Sequence, residues 1–186
     1  MKMKSLKYLL IPVIALMTAA CSEYGIEDEF HDWQSRNESF IDSISKADDV
    51  VRILSYRLDP AREWDKSDYV YCKKLSSGSG TVSPIFTDSV YIHYRGRLIP
   101  TPEHPQGYVF DQSYKSEKVD PTTSNASGFK LASLVIGMIT GIQEMKEGDS
   151  WRIYIPCELG YGSSKSGSIP AYSALIFDVN LERIAH

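Results

Sequence analysis

From Val90 to Leu98, and again from Leu175 to Glu182, apolar and polar residues alternate one by one. A period of two marks a strand with one face buried. In the first segment Val90, Ile92, Tyr94 and Leu98 share one face. Tyr91, His93, Arg95 and Arg97 share the other, which sends His93 toward solvent. In the second, Leu175, Phe177, Val179 and Leu181 stand opposite Asp178, Asn180 and Glu182. Trp151, Ile153 and Ile155 repeat the pattern, and Tyr69 to Leu75 reads as a further strand running into the turn-rich Ser76-Ser77-Gly78-Ser79-Gly80. Against these strands stands one helical stripe, Val135, Met138, Ile139 and Ile142, with Gly148 as its expected stop. Four or five strands with one late helix predict an α+β domain over residues 69–186. Its expected plan is an antiparallel β-sheet wrapped around one short helix.

Residues 21–68 predict a tether and an N-terminal helical extension. Trp33, Phe40, Ile41 and Ile44 fall at helical spacing. Such a stripe packs on its own domain or pairs two copies as a homodimer, and the spacing leaves both open. Val50 to Leu58 is ambiguous, Asp59-Pro60 stops it, and the charged residues 62–68 read as a linker.

Residues 1–20 read as a signal peptide. Lys2, Lys4 and Lys7 precede an apolar run from Tyr8 to Ala20, shorter than the ~20 residues a bilayer core requires. The run ends in Thr18-Ala19-Ala20-Cys21, which resembles the lipobox of bacterial lipoproteins, although Leu is commoner where Thr18 stands. The resemblance implies lipidation of Cys21 and a membrane attachment through that N-terminal anchor, with burial worth ~0.8 kcal/mol per CH₂. The acidic residues that follow, Glu23, Glu27, Asp28 and Glu29, look like the surface-export signal of Bacteroidetes lipoproteins. The expected location is the bacterial cell envelope, as an outer-membrane lipoprotein facing the periplasm or the surface.

The formal net charge is −4, and removing Lys2, Lys4 and Lys7 with the leader takes it to −7. An acidic chain gives no electrostatic footing for nucleic acid. There is no glycine-rich phosphate loop, CxxC or HExxH, and His31, His93, His104 and His186 lack metal-ligand spacing, so neither a metal nor a cofactor is expected. Cys72 and Cys157 could pair in an oxidising compartment or remain separate thiols. With 42% hydrophobic residues the chain can build a core without a disulfide.

Several segments, taken in order, resemble the FKBP-type prolyl isomerases over roughly 69–184. They begin with Val90-Tyr91-Ile92-His93-Tyr94-Arg95-Gly96, Gly107-Tyr108-Val109-Phe110-Asp111-Gln112-Ser113 and Gly128-Phe129-Lys130-Leu131. Val135-Ile136-Gly137-Met138, Met145-Lys146-Glu147-Gly148-Asp149 and Ile155-Pro156-Cys157-Glu158-Leu159-Gly160-Tyr161-Gly162 follow. Ile169-Pro170 and Leu175-Ile176-Phe177-Asp178-Val179 close the series. The lipoprotein leader and the Trp33–Ile44 segment look like Bacteroidetes members of that family.

The resemblance implies a peptidyl-prolyl cis-trans isomerase that assists folding of exported proteins, its partners being proline-containing, unfolded polypeptides. An X-Pro bond rotates over a barrier of ~18–20 kcal/mol set by amide resonance. No bond to carbon breaks, so the reaction needs neither nucleophile nor metal. The twisted amide has lost charge separation, and an apolar, water-poor pocket favours it over the planar form. By resemblance Tyr94, Phe110, Phe129 and Phe177 are walls around the proline ring, with Val135, Ile136 and Ile169 completing the lining. The Ile136 N–H and the Tyr161 hydroxyl hold flanking carbonyls, and Asp111 orders the site beside the rotating carbonyl. Met138 stands where the family commonly places Trp at the pocket floor. No basic partner for Asp111 is evident beyond Lys115, and Ser163 to Ser168 carries no recognisable counterpart. These departures keep an alternative in view: a weakly catalytic or non-catalytic chaperone of the same fold.

Overall fold

A computed structural model describes residues 29–116 and 124–186. Residues 1–20, read from sequence as a signal peptide, and Cys21 lie outside the described residues. The elements run α1 (Trp33–Ser45), β1 (Val51–Leu54), β2 (Tyr69–Ser76), β3 (Ser89–Arg97), β4 (Val109–Gln112) and β5 (Ser127–Lys130). They continue with α2 (Ile136–Ile142), β6 (Ser150–Ile155) and β7 (Leu175–Ala185). One antiparallel sheet has the order β1-β2-β6-β7-β3-β4, and β5 also pairs with β3. The two segments with the cleanest alternation, β3 and β7, lie side by side at its centre.

The apolar faces of β2, β3, β6 and β7 meet α2. Ile92, Leu131, Ile139, Ile142, Ile153, Ile155, Leu175 and Leu181 are almost wholly buried there. Two glycines set how closely α2 lies on β6. A Cβ on Gly137 would stand 2.3 Å from Ile155 Cγ2, and one on Gly141 2.7 Å from Ile153 Cδ1. The absence of both side chains lets the helix backbone rest on the strand and turns Met138 inward, where it is 3% exposed. The helix ends at Ile142, earlier than the Gly148 stop expected from sequence. Gly148 instead has φ +88° in the turn that starts β6, and its N–H donates to Leu181 O at 2.7 Å.

The sheet also reaches upstream of Tyr69. The ambiguous segment contributes β1, paired with β2 from Val51↔Cys72 to Leu54↔Tyr69. The stripe of α1 turns inward: Trp33 and Ile41 are buried, and Phe40 and Ile44 pack against the core.

His93 corrects the expectation that it faces solvent. It is fully buried, its Nε2 lies 2.7 Å from Glu182 Oε2, and its Nδ1 lies 3.3 Å from Ser124 Oγ. The second face of β3 and β7 is polar yet covered, because Tyr114 packs down on it under the Arg95 guanidinium. Arg97 and Arg152 both donate to Asp178 there, each with a contact of 2.5 Å. Cys72 and Cys157 are free thiols, both pushed up to about 12, chiefly by burial.

Candidate active site

Along β3, Tyr94 projects from the apolar face beyond the point where α2 covers it, and Phe177 projects from the neighbouring β7. Gly96 pairs with Phe177 across the strands. A Cβ on Gly96 would meet Phe110 Cε2 at 2.5 Å and Phe177 Cε1 at 2.8 Å. Both rings therefore lie over bare backbone. They meet edge-on with centroids 5.5 Å apart, and Tyr94 meets Phe129 edge-on at 5.7 Å, the geometry that aromatic quadrupoles favour.

These rings wall a cleft of about 450 Å³, within the range of small-ligand sites. Its lining takes in Tyr94, Phe110, Asp111, Phe129, Val135, Met138, Tyr161, Ile169 and Phe177. Of the residues assigned to the cleft from sequence, only Ile136 is absent from the lining. It follows Val135 as the first residue of α2, so its N–H has no acceptor within the helix. The cleft also includes residues that the sequence did not single out: Ile92, Ser133, Leu134 and Ser166–Ser168. Ile92 sits on the strand stripe and was legible as core. Ser166 bridges to Ile169 in a tight turn, which needed the three-dimensional path of the loop to be seen.

Two polar groups stand at the rim. Asp111 is exposed, and its carboxylate accepts from the Tyr94 hydroxyl at 2.8 Å and from the Gln112 N–H at 2.8 Å. Burial, and then the bond to Asp111, raises the Tyr94 pKa well above the usual tyrosine range, so its hydroxyl stays a donor. No ion pair between Lys115 and Asp111 forms among the described residues. Tyr161, 40% exposed, also lines the cleft. Aromatic walls with a carboxylate and a phenol in the lining can take a compact apolar group and offer polar contacts beside it.

Fold and cleft thus define an α+β domain whose antiparallel sheet packs on a short helix and carries an aromatic cleft. The chain belongs to the FKBP-type peptidyl-prolyl cis-trans isomerase family, whose model matches residues 80–182. It is 39% identical over 110 residues to the macrophage infectivity potentiator of Trypanosoma cruzi, covering 59% of this chain and 50% of that protein. It is 41% identical over 110 residues to the peptidyl-prolyl cis-trans isomerase Mip of Coxiella burnetii, covering 59% of this chain and 42% of that protein. The chain thus spans about half the length of these curated relatives. Among solved structures, FkpA from Escherichia coli superposes with a TM-score of 0.61 at 25% identity, covering 84% of this chain and 62% of that one. A peptidyl-prolyl cis-trans isomerase from Pseudomonas syringae pv. tomato gives 0.63 at 23% identity, covering 87% of this chain and all of that one, a likeness of fold.

Proposed function

We propose that this chain catalyses cis-trans isomerisation of X-Pro bonds in exported, incompletely folded polypeptides. The aromatic cleft is the observation that carries this reading. Tyr94, Phe110, Phe129 and Phe177 would wall the ring, with Met138 in the same lining, and offer it an apolar surface. An amide loses its resonance dipole as it twists, so this environment costs the transition state less than the planar ground state. Asp111, set by Tyr94, lies beside the rotating carbonyl. Tyr161 and the Ile136 N–H hold the carbonyls on either side of proline. Each tenfold of rate needs only about 1.4 kcal/mol of such preference.

The test is a protease-coupled prolyl peptide assay on the full chain in detergent, compared with Asp111→Ala and Tyr161→Phe. Wild type should isomerise the peptide. Tyr161→Phe should lose severalfold in kcat/KM, as expected for one neutral hydrogen bond worth ~0.5–1.5 kcal/mol, and Asp111→Ala should lose more. Full activity in both folded variants would remove these assignments. A second reading, a binding module with little turnover, draws on Met138 in the cleft and on the long connections 100–107 and 112–128. A wild type that binds unfolded chains without accelerating exchange would establish it.

The cellular setting belongs to the same proposal. The cationic, short apolar leader and the Ala19-Ala20-Cys21 junction support an envelope lipoprotein held by acyl chains on Cys21. Metabolic fatty-acid labelling should mark wild type and spare Cys21→Ala, whereas equal labelling would refute the anchor. With Trp33 and Ile41 packed within the chain, α1 has mainly its polar face left to offer a second copy.

A further inference from the structure

Helix α1 lies outside the span that matches the family, yet it is bonded to the turn from which one side of the cleft hangs. Trp33 and Asn37 are 6% and 3% exposed. Trp33 Nε1–H donates to Ser173 Oγ at 2.8 Å, and Ser173 Oγ donates to Pro170 O at 2.7 Å. Asn37 Nδ2 donates to Trp33 O at 2.6 Å, while its Oδ1 accepts from the Ala174 N–H at 2.8 Å. Between these anchors Tyr172 takes φ +60°, a left-handed conformation that a bulky residue holds only where its surroundings impose it. In that conformation its N–H donates to Gly162 O at 2.9 Å. The two carbonyls gripped by this turn belong to Gly162 and Pro170, and each adjoins a cleft residue, Tyr161 and Ile169. We propose that Trp33 and Asn37 are positioning residues of the prolyl cleft, holding the 170–174 turn and through it the Tyr161 and Ile169 side. The inference rests on the isomerase reading of that cleft.

Its signature follows from how a wall that is in place part of the time behaves. Apparent affinity falls by the fraction of molecules that are competent, and bound substrate restores the wall. KM should therefore rise while kcat holds. Trp33→Phe keeps the ring and removes the N–H, and Asn37→Ala removes the cap on Ala174. In the full chain in detergent, each should raise KM for a prolyl tetrapeptide about two- to tenfold, with kcat changed less than about twofold, on the scale of one lost hydrogen bond. Trp33→Phe combined with Ser173→Ala should be no worse than Ser173→Ala alone, because both act through one relay. Ile44→Val trims the same helix outside the cavity that Asn37 shares with Tyr172 and Ala174 and should leave KM unchanged at a comparable small loss of melting temperature. Unchanged KM in folded Trp33→Phe and Asn37→Ala overturns the proposal. So does an equal rise in Ile44→Val, which would make the effect one of general stability. A wild type without isomerisation refutes the underlying reading instead. The positioning role is then decided by the same comparison, made on the Kd of the prolyl peptide.

Discussion

Tyr94, Phe110 and Phe177 stand on β3, β4 and β7, whereas Tyr161 and Ile169 sit on the connection between β6 and β7. The strand side is continuous with the hydrophobic core. Its rings rest on paired backbone, and the bare Cα of Gly96 fixes how deeply they sit. The loop side has Ile169 buried but Tyr161 exposed, and it is held by a handful of hydrogen bonds to a turn and a helix. One cleft thus combines a wall that cannot move without disturbing the fold with a wall whose place can be altered while the fold stays. Changes to the strand side should cost stability and activity together, and changes to the loop side should cost activity alone.

Phe177→Ala should show the largest effect. The ring is 7% exposed and packs on Phe110 and Tyr94, so its truncation should cost about 3–5 kcal/mol in urea unfolding and abolish most turnover. A loss below about 1 kcal/mol would mean that the ring belongs to the cleft but not to the core, which would break the comparison at its firmest point.

Gly96→Ala is a smaller change that probes the same wall. A methyl 2.5 Å from Phe110 Cε2 and 2.8 Å from Phe177 Cε1 has to push both rings aside. Overpacking of this kind costs about 1–3 kcal/mol. The rings move into the cleft, so kcat/KM should fall further than the melting temperature suggests. Wild-type activity at a reduced melting temperature would show that the rings give way elsewhere.

Tyr94→Phe separates the ring from its hydroxyl. The aromatic wall remains, while Asp111 loses a donor at 2.8 Å. Because Asp111 is exposed and water can replace the donor, stability should change by under about 1 kcal/mol. kcat/KM should fall severalfold if the phenol orients the carboxylate. Equal activity in Tyr94→Phe and wild type would leave Asp111 oriented by the Gln112 N–H alone.

The strand side was legible in the periodicity of the sequence, whereas Tyr161 and Ile169 on the loop side were named only through the family resemblance, for physical reasons. The two-residue period of Val90–Leu98 and Leu175–Glu182 states which side chains share a face, and β3 and β7 place Tyr94 and Phe177 accordingly. Periodicity does not state whether a polar face is wet. His93 alternates as a solvent residue would, but it is buried, with Ser124 from the long connection after β4 and Glu182 from β7 against its two ring nitrogens. Gly148 carried a stop signal that a turn uses as readily as a helix end. α2 stops at Ile142 because the chain must turn back to start β6 at Ser150. Ser166–Ser168 have no periodicity to read, and their place at the cleft depends on contacts across the fold. The stripe of α1 was visible from Trp33 to Ile44, but its partner was not, since a stripe specifies burial without naming the surface that covers it.

The smallest effect concerns how α1 is tied at its start. Glu29 Oε1 accepts from Thr101 Oγ1 at 2.7 Å and lies 2.8 Å from His104 Nδ1, while Arg36 Nη1 donates to Glu29 O at 2.7 Å. The Thr101 hydroxyl first, and His104 second, hold the Glu29 carboxyl below its ordinary value of 4.5. A carboxyl whose pKa is depressed by folding contributes stability that is present above its unfolded value and lost as pH falls through the folded one. The tie should therefore be complete above about pH 4.5 and disappear below it. Acid titrates Asp42, Asp49 and Asp88 as well, each also depressed, so wild type alone cannot isolate Glu29. The difference between wild type and Glu29→Gln can, because those groups are common to both proteins. That difference in melting temperature should correspond to no more than about 1 kcal/mol at neutral pH, as for a surface ion pair, and should vanish as pH falls below 4.5. A difference that persists in acid would assign the effect to packing of the side chain. No difference at any pH would show that α1 is held to the loop side by Trp33 and Asn37 without help from the segment before it.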